Sequence, residues 1–264
     1  MREELFPPMV EALHKLGGIP IKPILAESMQ MGDENHPRQT ACDYIYDRLM
    51  LPALFELDRP KKEIMKTVRY IVDTPRFFHC YGQAAARAAL VAADGTEYST
   101  MVTAVCGNGV EFGIKIASLP GQWFTAPAPM MKGRYTSSEF TEKDQLPWMG
   151  DSCVVECYGM GGFAAAASPI VCNLRGMTLK ESIGQTKEMY RITMEKNYNF
   201  PIPNLDFDFL PVGIDIRKVL KEGVCPAIHG GMFNRVGGLI GAGMARVPMQ
   251  CFEKALVAFG EKYL

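Results

Sequence analysis

The chain has 264 residues, 48% of them hydrophobic and 22% charged, with a net charge of -1. That length and balance suit one large folded core or two modest ones. A near-neutral chain has no electrostatic footprint for nucleic acid or an anionic membrane surface. No apolar run approaches the roughly 20 residues that span a bilayer. The opening Met1-Arg2-Glu3-Glu4-Leu5-Phe6-Pro7-Pro8 lacks the form of a signal peptide, so a cytoplasmic protein is expected. The eight cysteines include no C-x-x-C pair, and Cys153 and Cys157 have no His/Cys partner at ligand spacing; neither metal nor cofactor is expected.

Leu5, Met9, Leu13 and Leu16 recur at helical spacing, and Gly17-Gly18 supplies a stop. Ile19 to Leu25 reads as a short edge strand because it carries Pro20 and Pro23. Three helical stretches follow from Thr40 to about Ala93, broken near Pro60 and Pro75. Residues 31–95 therefore read as a small helical subdomain, with 1–30 at the edge of an α+β domain that continues through 96–264. Ser99–Val105 and Val110–Ile116 alternate and are joined by Cys106-Gly107-Asn108-Gly109, a hairpin signal, and Gln122–Ala128 reads as a third strand. A polar loop is expected over 130–149, a buried helix from Met160 and an amphipathic helix over Leu179–Lys196. A proline-rich connector at 201–211, strands near 224–229 and 237–245 and a last helix opened by Pro248 complete the chain. Strand pairs mixed with helices, without a βαβ rhythm, predict an α+β fold with mixed or antiparallel sheets.

Two polar clusters stand out. In Glu34-Asn35-His36-Pro37-Arg38-Gln39, Pro37 forces an extended approach at His36. A His beside an Arg can polarise a carbonyl while the guanidinium grips a carboxylate or phosphate, or both are ordinary polar residues of a helix-entry loop. His36-Pro37-Arg38-Gln39 also resembles the carbamoyl-contacting motif of aspartate and ornithine carbamoyltransferases, whose Ser-Thr-Arg-Thr phosphate loop has no counterpart here. In the second cluster, Gly150 to Pro169, the run Gly159-Met160-Gly161-Gly162 can leave backbone N–H groups uncovered at the start of an alanine-rich helix, a cradle for an anion, or it can be a tight packing turn. Asp151 and Ser152 either satisfy turn amides or face a cleft, and Glu156 is a carboxylate beside the glycine turn.

Elsewhere, Asn108 and Glu111 flank the hairpin turn, and Thr125 is the polar member of an aromatic segment. Asp215 and Arg217 sit where an N-cap is expected, with Arg217 able to reach an anion. His229-Gly230-Gly231 reads as another bare-backbone turn, and His79 as a buried structural histidine. From chemistry alone, His36, Arg38, Glu111 and Asp151 are the candidate catalytic residues. Asn108, Thr125, Ser152, Glu156, Gly161, Gly162, Asp215 and Arg217 are candidates for holding substrate.

In order along the chain come Met31-Gly32-Asp33-Glu34, Asn108–Gly113, Trp123–Pro129, Gly150-Asp151-Ser152, Gly161–Pro169, Pro211–Arg217, Gly241-Ala242-Gly243 and Pro248–Glu253. Together they resemble the YlbE/AllG family of bacterial proteins across nearly the whole chain. The resemblance implies an α+β domain with a helical insertion and a role in purine-nitrogen salvage. It further implies a subunit of an oxamate carbamoyltransferase, which exchanges oxalurate and phosphate for oxamate and carbamoyl phosphate alongside an FdrA-like subunit. Family members are usually longer, with an N-terminal nucleotide-binding-like domain, so a split subunit or a stand-alone variant is expected. Hydrolysis of a small amide or imide, and a non-catalytic partner subunit, are the alternative functions; a homodimer or FdrA-like partners are the expected assemblies.

Overall fold

The computed structural model describes residues 2–264 and has the expected α+β architecture, with helices first and antiparallel strand pairs after them. Five helices lead: α1 (Phe6–Lys15), α2 (Ile21–Gln30), α3 (Thr40–Phe55), α4 (Lys61–Val72) and α5 (His79–Val91). α1 packs on α3 and α4, and α2 lies between α3 and a later strand. The edge strand expected over 19–25 is instead the start of α2. Pro20 is its N-cap and Pro23 lies in its first turn, where a missing N–H has no intrahelical partner to lose.

The strands form three sheets. β1 (Val102–Asn108), β2 (Glu111–Ile116), β3 (Phe124–Pro127) and β5 (Met149–Gly150) make the first, in the order β3-β2-β1-β5. The β1–β2 hairpin turns at Asn108, whose side-chain oxygen accepts the N–H groups of Val110 and Glu111 at 2.9 and 2.7 Å. The segment expected as an unbroken polar loop contains β4 (Lys132–Tyr135), which pairs with β9 (Leu239–Arg246) beside β8 (Ala227–Phe233). β6 (Thr193–Ile202) and β7 (Asp208–Ile214) form a two-stranded ribbon. The amphipathic helix expected over 179–196 ends early, as α8 (Leu179–Met189), and the 201–211 connector is mostly strand. With two strands in that ribbon every strand is an edge, so Pro201 and Pro211 are tolerated within it. α8 is held at its start by a capping box in which Glu181 N–H donates to Thr178 Oγ1, with the Glu181 carboxylate returning to Thr178 N–H.

Between these sheets runs a wholly buried 3-10 segment, Gly161–Ala167, preceded by the short helix α6 (Val154–Cys157) and followed by α7 (Pro169–Leu174). Its alanines bury little volume, which lets the backbone press against β8 and α8. Gly162 is the closest approach: a Cβ there would run into the Ala227 carbonyl. α9 (Ile216–Glu222) and α10 (Met249–Tyr263) close the fold. No helix among the described residues is long and apolar enough to cross a membrane.

Candidate functional site

Three side chains from two distant points of the sequence converge into one relay. His36 Nδ1 lies 2.9 Å from Glu156 Oε1, and His36 Nε2 lies 2.8 Å from Ser152 Oγ. A buried carboxylate oxygen can only accept, so Nδ1 carries the proton and donates it to Glu156. That leaves Nε2 bare to accept from the Ser152 hydroxyl. His36 and Glu156 are buried, whereas Ser152 is half-buried and opens on a cavity of about 520 Å³. Its walls include Arg38, Arg76, His79, Trp148 and the Gly230-Gly231 backbone, enough room for a small ligand.

The glycine run serves this relay in a way the sequence reading did not anticipate. Its amides are not an open cradle. Gly161 N–H donates to the Glu34 carbonyl at 2.7 Å, Gly159 N–H to the Glu156 carbonyl at 3.1 Å, and Gly162 N–H to Glu156 Oε1 at 3.0 Å. Gly161 and Gly162 are buried and hold protein, not substrate. Glu156, expected at the substrate, is likewise fully buried; its Oε1 accepts from His36, from Gly162 N–H and from His229 N–H at 2.9 Å. Gly161 permits this close packing. It sits at φ +58°, and a Cβ on it would strike the Glu156 carboxylate and come within 3.1 Å of His36 Cβ.

The imidazole is also walled in. His79 stacks on it with ring centroids 5.9 Å apart and 17° between planes, and Trp148 meets it edge-on at 6.4 Å. His79 is therefore part of the site wall and half-buried, not a core histidine. Burial and the neighbouring His36 push its pKa down to about 4, so it stays neutral beside that ring. The unfolded chain takes up that proton near pH 6.5, about the ordinary histidine value. Stability held by neutral His79 is thus present above that pH and lost as pH falls from about 6.5 towards 4. Denaturant titrations should show about 2 kcal/mol less acid-induced loss across that window in His79→Gln than in the parent. Taking the difference matters because Asp33, pushed up to about 6 by burial, acts in the opposite sense: the folded state keeps its proton, and ionising it costs stability between about pH 4 and 6.

Behind Glu156 lies a second buried layer that the sequence reading missed. Arg175 Nη1 donates to His229 Nδ1 at 2.6 Å, Glu34 Oε2 lies 3.3 Å from the same nitrogen, and Gln185 Nε2 donates to the Gly162 carbonyl at 2.7 Å. Burial and Arg175 hold the His229 pKa well below its usual value. His229-Gly230-Gly231, expected as a turn, is a stretch of strand β8. Nothing local in the sequence marks Arg175 or Gln185, which lie in and after helical segments of unrelated pattern.

The cations at the cavity come from the helical part. Arg38 Nε lies 3.2 Å from Asp33 Oδ1, and Arg38 N–H donates to Glu34 Oε1 at 2.9 Å. Arg76 is held at φ +63° by Asp43, whose carboxylate accepts the N–H groups of Arg76 and Phe78 at 2.7 and 2.9 Å. A non-glycine residue fixed in the left-handed region beside a cavity is strain of the kind found at binding sites.

Other expected site residues lie elsewhere. Asp151, next to Ser152, lines a separate cavity of about 430 Å³ with Arg87, Cys106 and Trp123. Asn108, Glu111 and Thr125 meet at a third depression, where Thr125 Oγ1 donates to Glu111 Oε1 at 3.1 Å. Asp215 caps α9, accepting Arg217 N–H at 2.9 Å and pairing with the Arg217 guanidinium at 3.0 Å, so this pair is a helix cap and not part of the relay cavity. No cluster of three or more His, Cys, Asp or Glu side chains able to hold a metal ion occurs among the described residues. His36, Arg38 and Ser152 are the expected residues that the structure brings to one cavity.

The fold and this geometry define an α+β protein with a serine–histidine–carboxylate relay at the wall of a largely apolar cavity that Arg38 and Arg76 also line. The chain belongs to the AllG family: the family model described as oxamate carbamoyltransferase subunit AllG matches residues 1–152. It is 35% identical over 265 residues to the oxamate carbamoyltransferase subunit AllG of Escherichia coli (strain K12), covering 99% of this chain and 63% of that protein. It is 36% identical over 265 residues to the uncharacterized protein YahG of the same organism, covering 100% of this chain and 56% of the relative. A crystal structure of a conserved protein of unknown function from Enterococcus faecalis V583 superposes with a TM-score of 0.95 at 36% identity, over 99% of this chain and 63% of that one. The chain thus spans less than two thirds of the length of these relatives.

Proposed function

We propose that this chain carries the carbamoyl-transfer site of an oxamate carbamoyltransferase-like assembly, moving a carbamoyl group between oxalurate or oxamate and phosphate. The observation that carries the reading is the relay itself, a polarised Ser152–His36–Glu156 chain opening on a cavity that Arg38 and Arg76 line. Carbamoyl transfer needs a placed base, and fixed positive charge for an oxamate carboxylate and a phosphate. The guanidiniums supply the charge, with the planar fork suited to both anions. A relative named as a subunit supports assembly with partner subunits here.

The same relay would serve hydrolysis of a small amide if water took the place of phosphate, and the two arginines favour phosphate. The deciding assay follows oxalurate loss by the chain and its partner subunits, with and without phosphate. Phosphate-dependent loss supports transfer; equal loss without phosphate overturns it in favour of hydrolysis. Arg76→Ala should raise the KM for an anionic substrate by about 10–100-fold with the melting temperature little changed, as loss of a charge-assisted contact implies. Unaltered kinetics in that variant would remove Arg76 from the anion site.

A further inference from the structure

We propose that Ser152 is a nucleophile that carries the carbamoyl group covalently between donor and acceptor. The proposal deepens the reading above and rests on it for the identity of the group carried.

The geometry is that of an activated hydroxyl, with the nucleophile in hydrogen-bond reach of a base and the base oriented by a third group. Ser152 Oγ is 2.8 Å from His36 Nε2, the nitrogen left unprotonated by the Nδ1–Glu156 contact. Glu156 is itself fixed by two backbone N–H groups, from Gly162 and His229, so the orienting group cannot swing away. His79 and Trp148 confine the ring on two sides. A serine that only hydrogen-bonded substrate would need none of this apparatus. A carboxylate buried with Oε2 unpartnered is costly to keep, and orienting the histidine gives it a use. His36 and Ser152 both line the cavity, and Ser152 is the more exposed of the two, as a nucleophile must be.

The chemistry balances without redox or an added co-reactant. Ser152 Oγ attacks the carbamoyl carbon of oxalurate while its proton passes to His36 Nε2. The bond from that carbon to the oxamate nitrogen breaks, the nitrogen takes the proton from His36, and oxamate leaves with the carbamoyl group esterified to Ser152. An oxygen of hydrogen phosphate then attacks the same carbon and the hydrogen phosphate proton passes to His36 Nε2. The carbon–Oγ bond breaks, His36 returns a proton to Oγ, and carbamoyl phosphate leaves. The sum is oxalurate plus phosphate giving oxamate plus carbamoyl phosphate.

The test uses an activated aryl carbamate, a donor that does not depend on oxalurate being the substrate. Intact mass and peptide mapping should find one carbamoyl group on Ser152, absent in Ser152→Ala and slowed at least about 100-fold in His36→Ala. Adding phosphate should discharge it, and Ser152→Ala, with an unaltered circular dichroism spectrum, should lose at least about 1,000-fold in oxalurate turnover. No label at Ser152, or phosphate-dependent turnover within about tenfold of the parent in Ser152→Ala, overturns the nucleophile and leaves the transferase reading standing. Label at Ser152 with no turnover of oxalurate keeps the nucleophile and overturns the substrate.

Discussion

Glu156→Gln is expected to lower turnover by about 10²–10³ while the protein stays folded. The carboxylate oxygen Oε1 accepts from Gly162 N–H, His229 N–H and His36 Nδ1 together, so a glutamine must present its carbonyl oxygen at the same place. Turning the amide would set an NH₂ against three donors. The imidazole thus keeps its tautomer and position, and what disappears is the negative charge that stabilises the imidazolium when the serine proton arrives. The NH₂ falls where Oε2 now has no partner, at a cost of about 1–3 kcal/mol. Steady-state kinetics beside a thermal melt separate the two effects. A variant working within threefold of the parent would show that His36 does not act through the carboxylate.

Gly161→Ala should damage both rate and stability. The residue lies at φ +58°, which a side chain occupies at about 1–2 kcal/mol, and its new methyl group would occupy the space of the Glu156 carboxylate. Relief requires moving either the carboxylate or the backbone whose Gly161 N–H holds the Glu34 carbonyl. Each displaces a buried hydrogen-bonded group, so a total loss of about 2–4 kcal/mol is expected, a fall in melting temperature of several degrees for a chain of this size. Turnover should fall as far as in Glu156→Gln. Because both changes act through one carboxylate, the double variant should lose little further rate yet lose additional stability. Rate losses that multiply fully in the double variant would place Gly161's effect outside the relay.

The helical first third, the β1–β2 hairpin and the helix opened by Pro248 were legible because each rests on neighbours in sequence: apolar spacing, an Asn-Gly turn, a proline at a helix start. Where tertiary context decides, the reading failed. Pro20 and Pro23 exclude a central strand as well as a helix interior, and only packing tells an edge strand from a first helical turn. Met194 and its neighbours continue the helical pattern of α8, yet pairing with β7 draws them into β6. At the site, His36, Arg38, Ser152 and Glu156 were singled out as polar residues in places where a loop gives them something to do. Their relation was not visible, since His36 and Glu156 stand 120 positions apart. The choice between an anion cradle and a packing turn at the glycine run stays open in the sequence for the same reason: the carbonyl that takes the Gly161 amide belongs to Glu34, on the far side of the helical segment.

His36 arrives from the loop ahead of α3, whereas Ser152 and Glu156 arrive from the stretch that follows β5. The proton acceptor and the hydroxyl it serves therefore meet across a seam, stitched by the Gly161–Glu34 contact. Since misplacement by about 1 Å can cost a factor of 10² in rate, parting that seam would silence the chemistry while every helix and sheet stayed intact. In mild denaturant, catalysis should vanish well before the ellipticity does, and anything that wedges or clamps the seam has a lever on the rate without touching the cavity.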